Sequence, residues 1–432
     1  MGLARTLIYL NQLQKNQWRP LDELHQIQRK KMKHIVDYAY RHVQFYKELF
    51  KKAGIHPSDI KNQSDLNKIP LISKEDIKRN FPDKIISNEY NYLKCKIWDT
   101  SGSTGLPLRI VYDWKANDFA RAVLLRSYFN IGLRYFDRWC YVAPDEFRKD
   151  KERGYFITEK IGFISPYYIS VFHSIEKKIE LLKKFKPRIL ESLATDLYLI
   201  ARYIKEKDIK NITPDITVSN GELLDDYMRK YITNVFGVDH FDVYGCMELR
   251  RIAWECPKHE GYHIDIDSMV VQFLDDNGEE VSAGEKGRIV LTGLFNHAMP
   301  LIRYDIGDIG IPSNHRCSCG RGLPMMKIIQ GKLMDFIVTS EGQLLSPHIF
   351  KRVLMEIEGI ELFKLIQLTK EKIKILIVKN NKYTNENNVK ILKIFKRLLG
   401  ENVLVDIQFV DEIKRRGRKY KVIESRLNLT KF

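Results

Sequence analysis

No apolar run in the 432 residues reaches the ~18 that a membrane helix needs, so no transmembrane segment is expected. The stretch Met1-Gly2-Leu3-Ala4-Arg5-Thr6 has too short an apolar core for a signal peptide. It matches the permissive myristoylation pattern, which carries little weight by itself. Cysteine is scarce: six residues, unevenly placed, exclude a disulfide framework and fit a reducing cytoplasm. Internal repeats are missing. So is the interleaving of basic and aromatic residues that marks nucleic-acid binding. The net charge of +17 therefore reads as a compositional bias, with lysine spread along the whole length, and nucleic acid is not an expected partner.

What is present is a large core. Hydrophobic residues make up 44% of the chain, with 21 Phe and 22 Tyr, which excludes a disordered chain. A chain of this length is expected to split into at least two domains. The stretch around which the rest is organised is Thr100-Ser101-Gly102-Ser103-Thr104-Gly105-Leu106-Pro107. Its density of glycine and hydroxyl residues suits neither helix nor strand. It suits a loop whose backbone N–H groups and hydroxyls converge on an anion. No Gly-Lys-[Ser/Thr] follows, so it is not a Walker A loop.

Apolar spacing predicts helix over 21–66, then a break at Ile69-Pro70 and a restart capped by Ser73, with Asp76 three residues on. Helices are expected at 116–128, 174–185 and 387–399, and a buried strand at 139–143. Short apolar strands alternating with helices imply a parallel sheet with crossovers. Segments 269–274 and 287–292 flank Asp276-Asn277-Gly278 and read as strand, turn, strand. From Gly331 onward a helix at 347–357, strands at 363–368, 372–378 and 403–410 and the 387–399 helix describe a small α+β unit.

Four later stretches give the hydroxyl loop its context. Ser219-Asn220-Gly221-Glu222 follows an apolar strand, and its glycine lets backbone approach a flat ligand. Asp242-Val243-Tyr244-Gly245-Cys246-Met247-Glu248 offers an aromatic face and a carboxylate for a cation. Pro300-Leu301-Ile302-Arg303-Tyr304-Asp305-Ile306-Gly307-Asp308 ends in a carboxylate placed to accept two ribose hydroxyls. Gly331-Lys332-Leu333-Met334-Asp335 falls at the change of texture.

In this order and spacing, the motifs resemble those of the adenylate-forming enzymes, and most of all the phenylacetate–CoA ligase-like branch of CapK type. His42-Val43-Gln44-Phe45-Tyr46, Ile69-Pro70-Leu71-Ile72-Ser73-Lys74 and Pro300 to Tyr304 carry the subgroup likeness, which covers nearly the whole chain. The resemblance implies an α/β fold. Residues 1–330 would form a large adenylating domain with mixed sheets flanked by helices, its first 95 residues helical, and 331–432 a small mobile α+β domain. It implies ATP-dependent, AMP-forming activation of a carboxylic acid, followed by transfer to CoA or another thiol or amine, in capsule or envelope polysaccharide biosynthesis. A homodimer is admissible.

Residue by residue, the resemblance assigns the β/γ-phosphates to Thr100, Ser101, Gly102, Ser103, Thr104 and Gly105, with Thr104 also acting in catalysis. Ser219, Asn220, Gly221 and Glu222 would border the adenine. Tyr244 would stack on it, beside Gly245, Cys246 and Met247. Glu248 would hold Mg²⁺, and Asp308 the ribose. The catalytic lysine near the end aligns either with Lys419 or, counting from Gly417, with Arg418; Lys419 is preferred as a flexible phosphate-seeking cation. Two departures stand out. The family's Gly-Arg-x-Asp-Asp junction reads Gly331-Lys332-Leu333-Met334-Asp335, so Lys332 replaces the arginine and Met334 the hinge acid. Asp305 stands where Arg or Lys is common. These departures motivate an alternative: a catalytically degenerate scaffold that binds nucleotide without chemistry.

A second site is indicated by Cys317-Ser318-Cys319-Gly320 together with Cys256-Pro257-Lys258-His259-Glu260-Gly261-Tyr262-His263. Three thiolates and one imidazole make a closed structural zinc site, with either His263 or His259 as the fourth ligand. The remaining Cys95, Cys140 and Cys246 read as core, and His173 and His297 are assigned no role. Tyr135, Phe136, Tyr141 and Phe147 are candidates to line an acid pocket.

Overall fold

The computed structural model describes residues 2–99, 108–143, 162–330, 337–341, 344–345, 350, 353–414 and 422–427. Two compact units are present: Met1–Leu224 with Lys230–Ile329, and Gln330–Phe432 with Asp225–Arg229.

The first unit opens with helices α1 (Gly2–Asn16), α2 (Leu21–His42), α3 (Gln44–Ala53) and α4 (Lys74–Asn80). The helix expected over 21–66 is broken at the extended Val43 into α2 and α3, and it ends at Ala53, where Gly54 takes the left-handed conformation (φ +67°) and closes it. Only two short 3-10 turns follow, Pro57–Asp59 and Ser64–Lys68. Helix α4 starts as the sequence predicts. Ser73 Oγ accepts from the Asp76 N–H, and the Asp76 carboxylate accepts from the Ser73 N–H, a reciprocal cap contributing about 1 kcal/mol.

Strands β1 (Lys96–Asp99) and β2 (Arg109–Tyr112) pair antiparallel, with Asp99 opposite Arg109. Asp99 and Arg109, on either side of the Thr100–Pro107 stretch in the sequence, therefore lie side by side. Helix α5 (Trp114–Asn130) follows, capped by Asp113, whose carboxylate accepts from the N–H groups of Lys115 and Ala116.

The remaining strands of this unit are β3 (Trp139–Ala143), β4 (Tyr167–Ser170), β5 (Ile189–Leu193), β6 (Ile216–Asn220), β7 (His240–Cys246), β8 (Arg250–Glu255), β9 (Tyr262–Ile264), β10 (Met269–Leu274), β11 (Gly287–Gly293), β12 (Tyr304–Ser313) and β13 (Met325–Gln330). They form one sheet in the order β10-β11-β12-β13-β9-β8-β7-β6-β5-β3-β4. Strands β4, β3, β5, β6 and β7 run parallel, joined by the crossover helices Ile175–Phe185, Ala194–Glu206 and Asp226–Phe236. From β7 onward the described pairings are antiparallel. The sequence's β/α alternation therefore accounts for one half of a mixed sheet. The hairpin expected across Asn277-Gly278 is β10–β11, in register from Met269↔Gly293 to Leu274↔Arg288.

A buried ion cluster ties the helices to the sheet. Arg126 on α5, fully buried, donates to Asp267 Oδ1 at 2.8 Å and Oδ2 at 2.9 Å, and to Asp265. Asn16, the last residue of α1, donates to the same Asp267 at 3.2 Å.

In the second unit, β16 (Ile360–Thr369), β17 (Lys372–Lys379), β18 (Leu404–Phe409) and β19 (Ile423–Ser425) form a sheet in the order β18-β17-β16-β19. A short pair, β14 (Ile337–Val338) and β15 (Leu344–Leu345), accompanies it. Helix Asn385–Leu399 contributes Ile391, Phe395 and Leu399 to a core with Phe350, Leu365 and Ile375. The helix expected at 347–357 is described only in part.

Candidate active site

The motifs Ser219–Glu222 and Tyr244–Glu248 lie at the carboxyl ends of β6 and β7. Strand β7 has a parallel neighbour on one side and an antiparallel one on the other. Carboxyl ends at such a change of direction are where α/β sheets leave a crevice for ligands.

Strand β6 ends in Ser219 and Asn220, paired with Asp242 and Val243 of β7. Ser219 is fully buried, and its hydroxyl donates to Asp242, which also accepts from Tyr262 at 2.8 Å. The Ser219 side chain thus belongs to the network beneath the crevice. Asn220 is held at both ends of its amide. Tyr141 donates to Oδ1 at 3.2 Å, and Nδ2 donates to Glu191 at 2.5 Å. Glu191 is buried and also accepts from Tyr128 and, at 2.9 Å, from Trp139 Nε1; burial pushes its carboxyl upward. Gly221 turns the chain at φ +67°. Glu222 Oε2 accepts the Thr195 N–H at 2.9 Å, while Oε1 is buried with no partner among the described residues.

The last residues of β7 are Tyr244, Gly245 and Cys246, and the turn after it carries Met247 and Glu248. Tyr244 donates to Asp308 Oδ2 at 2.7 Å, across 64 positions of sequence. Burial and the Asp308 carboxylate push its phenol well above the usual range. Glu248 Oε1 accepts from Tyr304 at 3.0 Å, and its backbone carbonyl accepts from Tyr112 at 2.7 Å. Tyr304 opens β12, the strand that also carries Asp308. Tyr244, Glu248 and Asp308 are therefore brought to one place. Gly245 has no room for a side chain, since a Cβ there would lie 2.3 Å from the Arg250 carbonyl oxygen. Burial raises the Cys246 thiol well above its ordinary value.

Thr100, Ser101, Gly102, Ser103, Thr104, Gly105, Lys332, Met334, Arg418, Lys419 and Phe147 lie outside the described residues. Tyr135 and Phe136 are exposed, at 48% and 65%, and pack on Phe163. Asp305 is engaged by Arg288 at 3.1 Å.

The three subgroup stretches meet in one seam. Tyr46 donates to the Pro300 carbonyl at 3.1 Å and accepts the Ile302 N–H at 2.8 Å. Ile72 bridges Tyr304, its N–H donating to the Arg303 carbonyl at 3.0 Å. Arg303, left-handed at φ +54°, donates to the carbonyls of Ile69 and Asn67 at 2.6 and 2.9 Å. Local pattern gave no hint of this seam, whose partners stand more than two hundred positions apart.

The second cluster comprises Cys256, His263, Cys317 and Cys319, whose ligand atoms all lie within 4.8 Å of one another. Cys256 Sγ and Cys317 Sγ are 3.6 Å apart, and Cys319 Sγ and His263 Nε2 are 3.4 Å apart. A tetrahedral zinc with the usual bond lengths has S···S and S···N edges of about 3.8 and 3.6 Å, so the donor set fits that ion. Burial, helped by Arg321, pulls His263 down to about 4 and keeps the ring neutral, the ligating form. His259 stands outside the cluster, its ring stacked on Phe241 and its Nδ1 3.6 Å from Glu255.

Comparison with known proteins gives concordant results. Residues 337–426 match the family described as CapK C-terminal domain. A phenylacetate-coenzyme A ligase of Thermus thermophilus is 24% identical over 332 residues, covering 74% of this chain and 72% of its own. Protein CapK of Staphylococcus aureus is 26% identical over 412 residues, covering 91% and 87%. The fold is that of a 2-hydroxyisobutyryl-CoA ligase solved in its postadenylation state with an acyl-AMP. That likeness has a TM-score of 0.78 at 16% identity and covers 95% of this chain and 92% of the other.

Proposed function

We propose that this chain, a relative of phenylacetate-coenzyme A ligases and of CapK, is an AMP-forming ligase that activates a carboxylic acid with ATP. A carboxylate oxygen attacks the α-phosphorus and the bond to the bridging oxygen breaks. Acyl-adenylate forms and pyrophosphate leaves. A thiol such as CoA, or an amine, then takes the acyl group and AMP departs.

The observation that carries this reading is the convergence of Tyr244, Glu248 and Asp308 through the Tyr244–Asp308 and Tyr304–Glu248 hydrogen bonds. Tyr244 supplies a ring for the adenine, with its hydroxyl anchored. Asp308 keeps acceptor capacity for ribose hydroxyls. The buried Glu222 Oε1 is an acceptor that the exocyclic amine of adenine would satisfy. Magnesium, when bound by Glu248, would neutralise phosphate charge. Zinc would be held by Cys256, His263, Cys317 and Cys319. With four protein ligands its role is structural, stapling the β8–β9 region to the loop between β12 and β13. Six free thiols suit a cytoplasmic setting. The CapK likeness supports a place in envelope polysaccharide biosynthesis.

The test is ATP–pyrophosphate exchange across a panel of carboxylic acids, repeated with Lys419→Ala and Arg418→Ala. Acid-dependent exchange that collapses in one of the two variants is the expected result. ATP binding without exchange for any acid would leave a nucleotide-holding scaffold. Exchange unchanged in both variants would remove both residues from the chemistry.

A further inference from the structure

Four buried side chains stand in a row across neighbouring strands: Ser219 on β6, Asp242 on β7, Glu255 on β8 and Tyr262 on β9. Ser219 lies opposite Asp242 in the β6–β7 register, and Glu255 opposite Tyr262 in the β8–β9 register. Hydrogen bonds close the row on Asp242. Its N–H donates to Glu255 Oε2 at 2.7 Å, and its carboxylate accepts from the Tyr262 hydroxyl at 2.8 Å and from the Ser219 hydroxyl. Residues two apart on a strand share a face, so Tyr244 stands on the Asp242 face, one step nearer the crevice.

The far end of the row runs straight into the cysteine–histidine cluster. Glu255 immediately precedes Cys256, and Tyr262 immediately precedes His263. Strand alternation sends Tyr262 and His263 to opposite faces of β9. The phenol reaches Asp242, while His263 Nε2 lies 3.4 Å from Cys319 Sγ. The turn between Cys317 and Cys319 is clamped in its own right. The Ser318 N–H donates to Glu260 Oε2 at 3.0 Å, and the Ser318 hydroxyl donates to the same carboxylate. Ligation through Cys256 and His263 would therefore fix the end of β8 and the start of β9, and with them both groups that hold Asp242.

We propose that Tyr262 is a positioning residue for the nucleotide: its bond to Asp242 links the Cys256–His263–Cys317–Cys319 centre to the network beneath the crevice, so that ATP affinity depends on whether the centre holds zinc. The inference rests on the adenylation reading, in which Tyr244 faces the adenine and Ser219 borders it. A buried carboxylate with both oxygens engaged tolerates the loss of a donor poorly, and the strands around it must shift to compensate. Tyr262 supplies the donor from β9, the strand that bears His263.

The experiment measures the ATP dissociation constant by calorimetry for wild type and Tyr262→Phe. Each protein is taken zinc-loaded and after chelation, with the chelator then removed and Mg²⁺ restored. Loss of zinc is expected to raise the wild-type constant about fivefold. Zinc-loaded Tyr262→Phe should already sit at the raised value, and chelation should add nothing to it. A second readout needs no zinc-free protein. With Co²⁺ in place of zinc, the visible absorption of the metal should shift on adding ATP to wild type and stay fixed in Tyr262→Phe. If circular dichroism shows that chelation unfolds the chain, the cobalt spectra decide alone. Equal effects of chelation on the two folded proteins, no effect on wild type, or a cobalt spectrum indifferent to ATP overturns the proposal and leaves the adenylation reading standing. Purified wild type without zinc does the same. Failure of zinc-loaded wild type to bind ATP overturns both.

Discussion

Tyr244 and Asp308 are joined by a 2.7 Å hydrogen bond between the end of a central strand and a strand four places away in the sheet. The bond anchors an aromatic ring at the crevice and fixes the carboxylate beside it. Tyr244→Phe keeps the ring and removes the anchor. A net loss of about 1 kcal/mol, or roughly fivefold in KM for ATP, is expected with kcat nearly unchanged. Asp308→Ala should cost more, since it also removes the acceptor proposed for the ribose. Steady-state kinetics at saturating acid decide it; equal and small effects would dissociate Asp308 from the nucleotide.

Zinc content is directly measurable. The purified chain should carry about one zinc, released on titrating the thiols. Cys317→Ser should lose the ion and lower the melting temperature, while Cys140→Ser, at a buried cysteine outside the cluster, should keep it. His259→Ala should retain zinc and His263→Ala should not. A metal-free wild type with unaltered stability would leave the four side chains as a thiol cluster only.

Arg126 pairs with two buried carboxylates, those of Asp265 and Asp267. Arg126→Met leaves those charges in the interior without their partner, and a loss of about 3–5 kcal/mol is expected. Urea unfolding monitors it. Replacing all three with apolar residues should recover part of that loss, because the penalty comes from the unpaired charge rather than from the missing bond.

His297 predicts a pH dependence. Burial, and then the neighbouring His34 with Nε2 atoms 3.1 Å apart, lowers its pKa, while Asp113, the Phe295 carbonyl and Glu89 oppose the shift. The folded ring therefore refuses a proton that the unfolded chain accepts below about 6.5. Stability from this group is present above that value and declines as pH falls through it toward the lower folded value. Melting temperatures from pH 7.5 down to 5.0 should fall less steeply in His297→Asn than in wild type. Parallel curves would show that the ring titrates normally.

Much of the local architecture was legible in the sequence. Ser73 with Asp76 gave its cap, the apolar run Trp139–Ala143 its strand, and the motifs at Ser219–Glu222 and Tyr244–Glu248 fell at strand ends. What the sequence could not give came from pairings between distant segments. The choice between His259 and His263 depends on β9, a three-residue strand too short to announce itself, which turns His263 toward the thiols while His259 stacks on Phe241. The link from Tyr262 to Asp242 had no signal, because it requires β7, β8 and β9 to lie side by side. Nor did periodicity mark where the parallel half of the sheet gives way to the antiparallel half at β7.

The ion cluster around Arg126 also bears on how the polypeptide is made. Helices α1 and α5 leave the ribosome long before Asp265 and Asp267, so Asn16 and Arg126 wait for partners about 140 residues or more downstream. Until that point a guanidinium destined for the interior must stay hydrated, which keeps the nascent helices from docking in their final arrangement. Arrival of two aspartates thus acts as a completion signal. Helices α1 and α5 meet these partners only once β6 and β7 have been synthesised.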